Sequence, residues 1–248
     1  MKLIKGIINK TIDGLGYELR KKNMPEVLYS EFSEFEKIYS ECRPYTMTSQ
    51  ERMYALYKSV EYIIKNDISG DFVECGVWRG GCPMIISKTL LMHGITDRKI
   101  WLFDTFEGMS PPSSIDKDMN NLSAEEQMQL EEVRCYASLE DVKNNMNQTG
   151  YPTQNIQYVK GKVEDTLLNQ TYIKKCALLR LDTDWYESTL IELKELFPTL
   201  VKNGIMIIDD YGHWQGCKKA VDEYLKENNL PLFLNRIDYS GRLILKTM

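Results

Sequence analysis

The sequence predicts a doubly wound α/β fold built on a mostly parallel sheet. Three observations lead there. Short apolar runs alternate with stretches of helical spacing, most of the runs finish on acids or glycines, and the last two lie close enough to pair as an antiparallel hairpin. At 248 residues with 43% hydrophobic content, the chain can bury one such core with embellishments. A single domain over 1–248 is expected, with helical cover over 1–68 and a lid insertion over 105–137.

The elements follow in order. In residues 1–22, Leu3, Ile4, Ile7, Ile8, Ile12 and Leu15 fall near one helical face, with Lys2, Lys5 and Lys10 elsewhere. Such a helix packs on its own domain or on a second subunit; lying on a membrane is the alternative. A helix over 49–66 leads to a strand at 71–76 (DFVECG), and a helix at 82–93 ends on His93 just before Gly94. The strand at 99–104 (KIWLFD) opens onto Thr105–Ala137, which carries "PPSS" and a charged "AEEQMQLEE" helix. That is too long for an ordinary connection, so it reads as a lid over the sheet's carboxyl edge, a solvated excursion being the plainer alternative. A helix at 138–148, strands at 156–160 and 176–182, a helix at 187–201, a strand at 204–209 and a helix at 215–228 complete the alternation. Strands at 231–237 and 242–246 close it, turning at "YSG".

A formal net charge of −5 argues against a general nucleic-acid binder, which needs a basic excess to neutralise phosphates. The six cysteines form no C-x-x-C pair and read as reduced thiols of a cytoplasmic protein. No apolar run approaches the ~20 residues that span a bilayer.

Chemistry concentrates at the strand ends. In "VECGVWRGG", Glu74 precedes Gly76, and Gly80 and Gly81 open the next helix. The spacing is G-x-x-x-G-G, neither a dinucleotide fingerprint nor a P-loop. A turn lined by a carboxylate suits the cationic sulfonium and ammonium of S-adenosylmethionine, and Asp104 stands where an acid can accept from ribose hydroxyls. "LRLDTDWYES" and "IMIIDDYGHW" bring Asp182, Asp184, Asp209 and Asp210 to neighbouring strand ends, with Gly212 turning the chain after the last pair. So many carboxylates require protons or a cation, and an all-oxygen set selects a hard ion such as Mg²⁺. Asp184 and His213 are the candidate bases for a hydroxyl proton. A metal-dependent hydrolase or phosphoesterase and a non-catalytic binding module stay open beside a transferase.

Taken together, "RPYTMTSQERMYALY", "VECGVWRGG", "LFDTFEGM", "LRLDTDWYEST" and "GIMIIDDYGHWQGCKKAVDEY" resemble the macrocin O-methyltransferase family, the TylF/MycF and NovP-like sugar O-methyltransferases, over about residues 43–228. The resemblance implies a class I methyltransferase (Rossmann-like) fold, S-adenosylmethionine as donor, and Mg²⁺ on Asp182, Asp209 and Asp210. It matches Asp184 to the acid proposed as base in some members. Thr46 and Met47 of "YTMT", Glu74, Gly76, Gly80, Asp104 and Val163 become the expected donor contacts. The implied acceptor is a sugar hydroxyl of a glycosylated natural product or of a nucleotide- or lipid-linked surface polysaccharide precursor, and a homo-oligomer is expected. Thr105 replaces the family's serine, and 106–137, where the acceptor would be read, matches no motif.

Overall fold

The computed structural model describes residues 29–129 and 135–248; the amphipathic segment 1–22 lies outside them, as do residues 130–134 of the insertion. By its internal contacts the chain divides after Glu34, within the first helix, and the sheet belongs to the unit Phe35–Met248.

Helix α1 (Tyr29–Cys42) precedes α2 (Gln50–Lys65), which Ser49 caps by accepting the Arg52 N–H at 3.2 Å. Strand β1 (Asp71–Cys75) feeds α3 (Gly81–Met92), closed by His93 and by Gly94 at φ 71°, the helix end expected there. Then follow β2 (Ile100–Asp104), the short α4 (Ala124–Gln127), α5 (Leu139–Asn147), β3 (Ile156–Lys160), α6 (Val163–Thr166) and β4 (Cys176–Leu181). Helix α7 (Tyr186–Leu196), β5 (Leu200–Ile208), α8 (Gln215–Glu227), β6 (Asn235–Arg236) and β7 (Arg242–Leu245) complete the chain.

The sheet order is β3-β2-β1-β4-β5-β7-β6, parallel from β3 through β5 and antiparallel at β7 and β6. Because β1 runs out to β2 and β3 on one side and β4 to β5 on the other, the carboxyl ends of β1 and β4 flank the topological switch point. The β4 run "CALLRL" is buried along its whole length, as a strand covered on both faces must be.

Three boundaries differ from expectation by more than a residue or two: the strand expected over 231–237 forms only as Asn235–Arg236, and two others move. The helix expected over 187–201 stops at Leu196 in a single 3₁₀ turn, Phe197–Thr199, because Pro198 has no N–H to donate and its ring clashes with the preceding turn. Strand β5 accordingly begins at Leu200, four residues early, and passes through Asn203 at φ 64° before regaining register at Ile205.

The insertion is anchored at several points. Asp116, 1% exposed, accepts the Tyr186 N–H at 2.8 Å at the start of α7, and Gly216 packs so close that a Cβ there would collide with it. Asp118 pairs as a β-bridge with Trp214, and the Trp185 indole donates to the Ser110 carbonyl at 2.8 Å. It therefore sits on the loops that follow β4 and β5 rather than in solvent. Of the "AEEQMQLEE" helix, only Ala124–Gln127 is helical among the described residues.

Candidate functional site

A cavity of about 350 Å³ opens at the switch point, lined by the ends of β1, β2, β4 and β5, the segment Thr46–Thr48, and the β6–β7 turn. Gly76 holds φ 77°, and a Cβ there would strike the Asp182 carbonyl, so only glycine lets β1 and β4 close together above the sheet. Thr46, Met47, Glu74, Gly76, Asp104 and Val163 all line the cavity. Gly80 does not line it. It holds φ 90° as the N-cap of α3 and faces Val142 of α5, so it closes the turn from behind.

Asp104 is more committed than its position at a strand end implies. Its carboxylate accepts from the Val77, Trp78 and Phe106 N–H groups at 2.8, 3.1 and 2.7 Å, bracing the glycine turn. Burial raises its pKa against the pull of these bonds. The segment before α2 lies against the same turn: Gly81 has no room for a Cβ beside Thr46, and the Thr46 hydroxyl accepts the Thr48 N–H at 3.0 Å.

Under the cavity floor lies Arg180, to which the sequence reading assigned no role. It is 1% exposed and paired in register with Glu74 across β1–β4, so both side chains leave the same face. Its Nη1 donates to Glu74 and to Asp182 (2.7 Å); its Nη2 donates to Asp209 (2.5 Å) and to the Thr48 hydroxyl (3.0 Å). Arg52 donates to the other oxygen of Asp209 and reaches Asp238 at 3.0 Å. The signal was present in "LLRLD": an arginine inside a buried apolar run must be paired with carboxylates.

Asp209, expected beside Asp210 on a metal, is thus turned to two guanidinium groups. The ladder runs one residue past the assigned strand, with the Asp209 N–H donating to the Leu181 carbonyl, so Asp209 keeps the alternation and faces Arg180. The structure instead brings Asp182, Asp184 and Asp210 together, with one carboxylate oxygen from each within 4.8 Å of the others. Asp184 arrives by a turn rather than by strand alternation: β4 ends at Leu181, and Asp184 holds φ 67°. Burial raises the pKa of Asp182 and Asp210 well above the carboxylate range, and pushes Asp184 up to about 7, the Asp182 charge adding to it. The Asp210 Oδ2 is buried, with no hydrogen-bond partner among the described residues.

His213 lines the same end of the cavity, its ring set edge-on between Trp214 (4.7 Å) and Tyr239 (5.9 Å). Burial lowers its pKa, which keeps the imidazole neutral at pH 7. Gly212 does not occupy the left-handed region; its role is close approach, since a Cβ would collide with the Tyr239 carbonyl. That approach seats the β6–β7 turn on the site. The turn is held by Asp238, which accepts from the Ser240 N–H at 2.9 Å, the Gly241 N–H at 2.6 Å and the Ser49 hydroxyl at 2.7 Å.

Glu74 is pushed up to about 7, chiefly by burial, with the Arg180 charge pulling the other way. A folded-state pKa above the unfolded one near 4.5 gives stability that is complete below 4.5 and lost as pH rises through about 7. In chelator, the wild-type chain is expected to lose up to about 3 kcal/mol across that window relative to Glu74→Gln. Urea unfolding at stepped pH measures this, and parallel profiles for the two proteins would contradict it.

Cys42, Cys75, Cys82, Cys176 and Cys217 are buried thiols. Among the described residues no helix is long and apolar enough to cross a membrane.

Comparison with known proteins agrees with this architecture. The sequence model of the macrocin-O-methyltransferase (TylF) family matches residues 17–245. The demethyldecarbamoylnovobiocin O-methyltransferase of Streptomyces niveus is 32% identical over 199 residues, covering 79% of this chain and 74% of that protein. The mycinamicin III 3''-O-methyltransferase of Micromonospora griseorubida is 31% identical over 199 residues, covering 79% of this chain and 76% of that one. The solved structure of the O-methyltransferase NovP superposes with a TM-score of 0.73 at 28% identity, over 100% of this chain and 99% of that one. The calicheamicin methyltransferase CalS11 shares the fold at a TM-score of 0.61 and 19% identity, over 92% of this chain and 99% of that one. The sheet is that of a class I methyltransferase, and the chain belongs to the macrocin O-methyltransferase (TylF) family of O-methyltransferases.

Proposed function

We propose that this chain transfers a methyl group from S-adenosylmethionine to a hydroxyl of a sugar, carried by a glycosylated natural product or a surface polysaccharide precursor, with Mg²⁺ at the acidic cluster. The observation that carries the reading is one cavity that holds both a carboxylate-bearing glycine turn and a cluster of three acids. Glu74 and the Gly76 turn line it together with Asp182, Asp184, Asp210 and His213. The relatives' names fit: they describe O-methylation of a novobiocin precursor and of mycinamicin III.

The residues suit a hard cation. All three gathered donors are carboxylates, and no hydrogen-bond donor among the described residues reaches the buried Asp210 Oδ2. Mg²⁺ is held by one or two carboxylates plus substrate oxygens, and Asp182 and Asp210 supply two. When bound, the donor brings an electrophilic methyl on a cationic sulfonium, and the ion brings charge stabilisation at the acceptor hydroxyl.

This chain's residues do the rest. Asp184, brought beside Asp182 and Asp210 by its left-handed turn, takes the hydroxyl proton on its carboxylate as the oxygen accepts the methyl group. Neutral His213, with Trp214 and Tyr239, forms the wall against which the acceptor sits. The anchored insertion contributes Met109 and Ser110 and narrows the mouth, which holds the reactants in place and limits water.

The test is a transfer assay with methyl-labelled S-adenosylmethionine against a panel of nucleotide-linked, lipid-linked and aglycone-linked sugars, with and without Mg²⁺. Labelled sugar in Mg²⁺ and its loss in excess chelator are expected. Full transfer in chelator would remove the ion from the mechanism.

A further inference from the structure

We propose that Arg180 is a positioning residue that couples Glu74, the expected donor contact, to Asp182, the expected cation ligand, so that the two ligands bind interdependently. This rests on the donor-and-ion reading above. One guanidinium fork, fully buried, touches every party: Nη1 is shared between Glu74 on the donor side and Asp182 on the ion side, and Nη2 between Asp209 and Thr48 of the segment beside the cavity. Among the described residues no hydrogen-bond donor reaches the buried Glu74 Oε2, beside the arginine's own Glu74 contact, or the buried Asp210 Oδ2.

The coupling follows from sharing. Without the ion, one guanidinium fork is shared by Glu74, Asp182 and Asp209. A divalent cation on Asp182 draws that side chain away from Nη1, and the guanidinium is then held mainly by Glu74 and Asp209. Glu74 has correspondingly less to offer the ammonium at the amino-acid end of the donor. The two ligands are therefore antagonistic, and linkage requires the same factor in both directions. Direct repulsion through space has the same sign, so the arginine's share must be separated by geometry. Lysine keeps the charge but cannot hold two carboxylates in a planar fork.

Calorimetry on the full chain at matched ionic strength tests this with S-adenosylhomocysteine and MgCl₂ as probes. Saturating MgCl₂ should raise the Kd of S-adenosylhomocysteine by about fivefold or more, and saturating S-adenosylhomocysteine should raise the Mg²⁺ Kd by the same factor. In Arg180→Lys the coupling factor should fall toward one while both ligands still bind. Should that variant not fold, Thr48→Val serves instead; it leaves every charge in place, releases Nη2 from its neutral partner, and should change the factor. Independent binding in the wild type overturns the proposal, as does an unchanged factor in the variant that folds. Failure of the wild type to bind one of the probes overturns the donor-and-ion reading itself, a distinct result.

Discussion

Asp184→Asn is expected to lower kcat by about two to four orders of magnitude, the usual worth of a positioned base. Asparagine is close in size but cannot take the proton. The affinity for S-adenosylhomocysteine should change far less, because Asp184 stands with Asp182 and Asp210 and is not among the expected donor contacts. Single-turnover transfer to an accepted sugar gives the first quantity and calorimetry the second. His213→Gln should cost much less, since the imidazole is placed as a wall between two aromatic rings. If the losses come out reversed, His213 is the base and Asp184 serves the cation.

Asp209→Ala is expected to act on the fold first. Its carboxylate compensates Arg180, which is 1% exposed, and Arg52, whose side chain is 11% exposed. Removing one partner of a buried ion pair leaves an uncompensated charge at a cost of about 3–5 kcal/mol. Arg180 would keep Glu74 and Asp182, and Arg52 would keep Asp238, which places the loss toward the lower end. Asp209→Asn, which preserves an acceptor for one guanidinium, should cost less. Urea unfolding in chelator measures both. A chain that loses Mg²⁺ response with undiminished stability would return Asp209 to the role of metal ligand that the family resemblance implies.

Family membership also decides between the alternatives left open by the acidic cluster. That cluster alone fits a hydrolase as well as a transferase, whereas a match over residues 17–245 and relatives named O-methyltransferases support the transferase.

The architecture was legible because its signals are local. Apolar runs such as "FVEC" and "ALLRL" bury both faces of parallel strands, and the helices between them carry their own spacing and caps, including Ser49 and the His93–Gly94 end. The helix expected over 187–201 was misjudged only where apolar spacing outweighed Pro198. In the site, positions were legible and orientations were not. Glu74, Gly76, Asp104, Asp182, Asp184 and Asp210 reach one cavity as their places at strand ends require. Gly80 lies behind the turn, Asp104 spends its oxygens on backbone amides, and Asp209 faces guanidinium rather than Asp210.

The sequence by itself determined the strand order's ligand-binding edge, the excess of carboxylate there, and the membership of a family, because periodicity and motif are properties of neighbouring residues. The tertiary structure alone decided which carboxylates share a site. One more rung of ladder between Asp209 and Leu181 keeps Asp209 on the face of Arg180, and a left-handed turn at Asp184 brings that acid to Asp182 and Asp210. Both are outcomes of strand register and backbone handedness. Those depend on what residues more than a hundred positions away, such as Glu74 in β1 and Arg52 in α2, present to these strand ends.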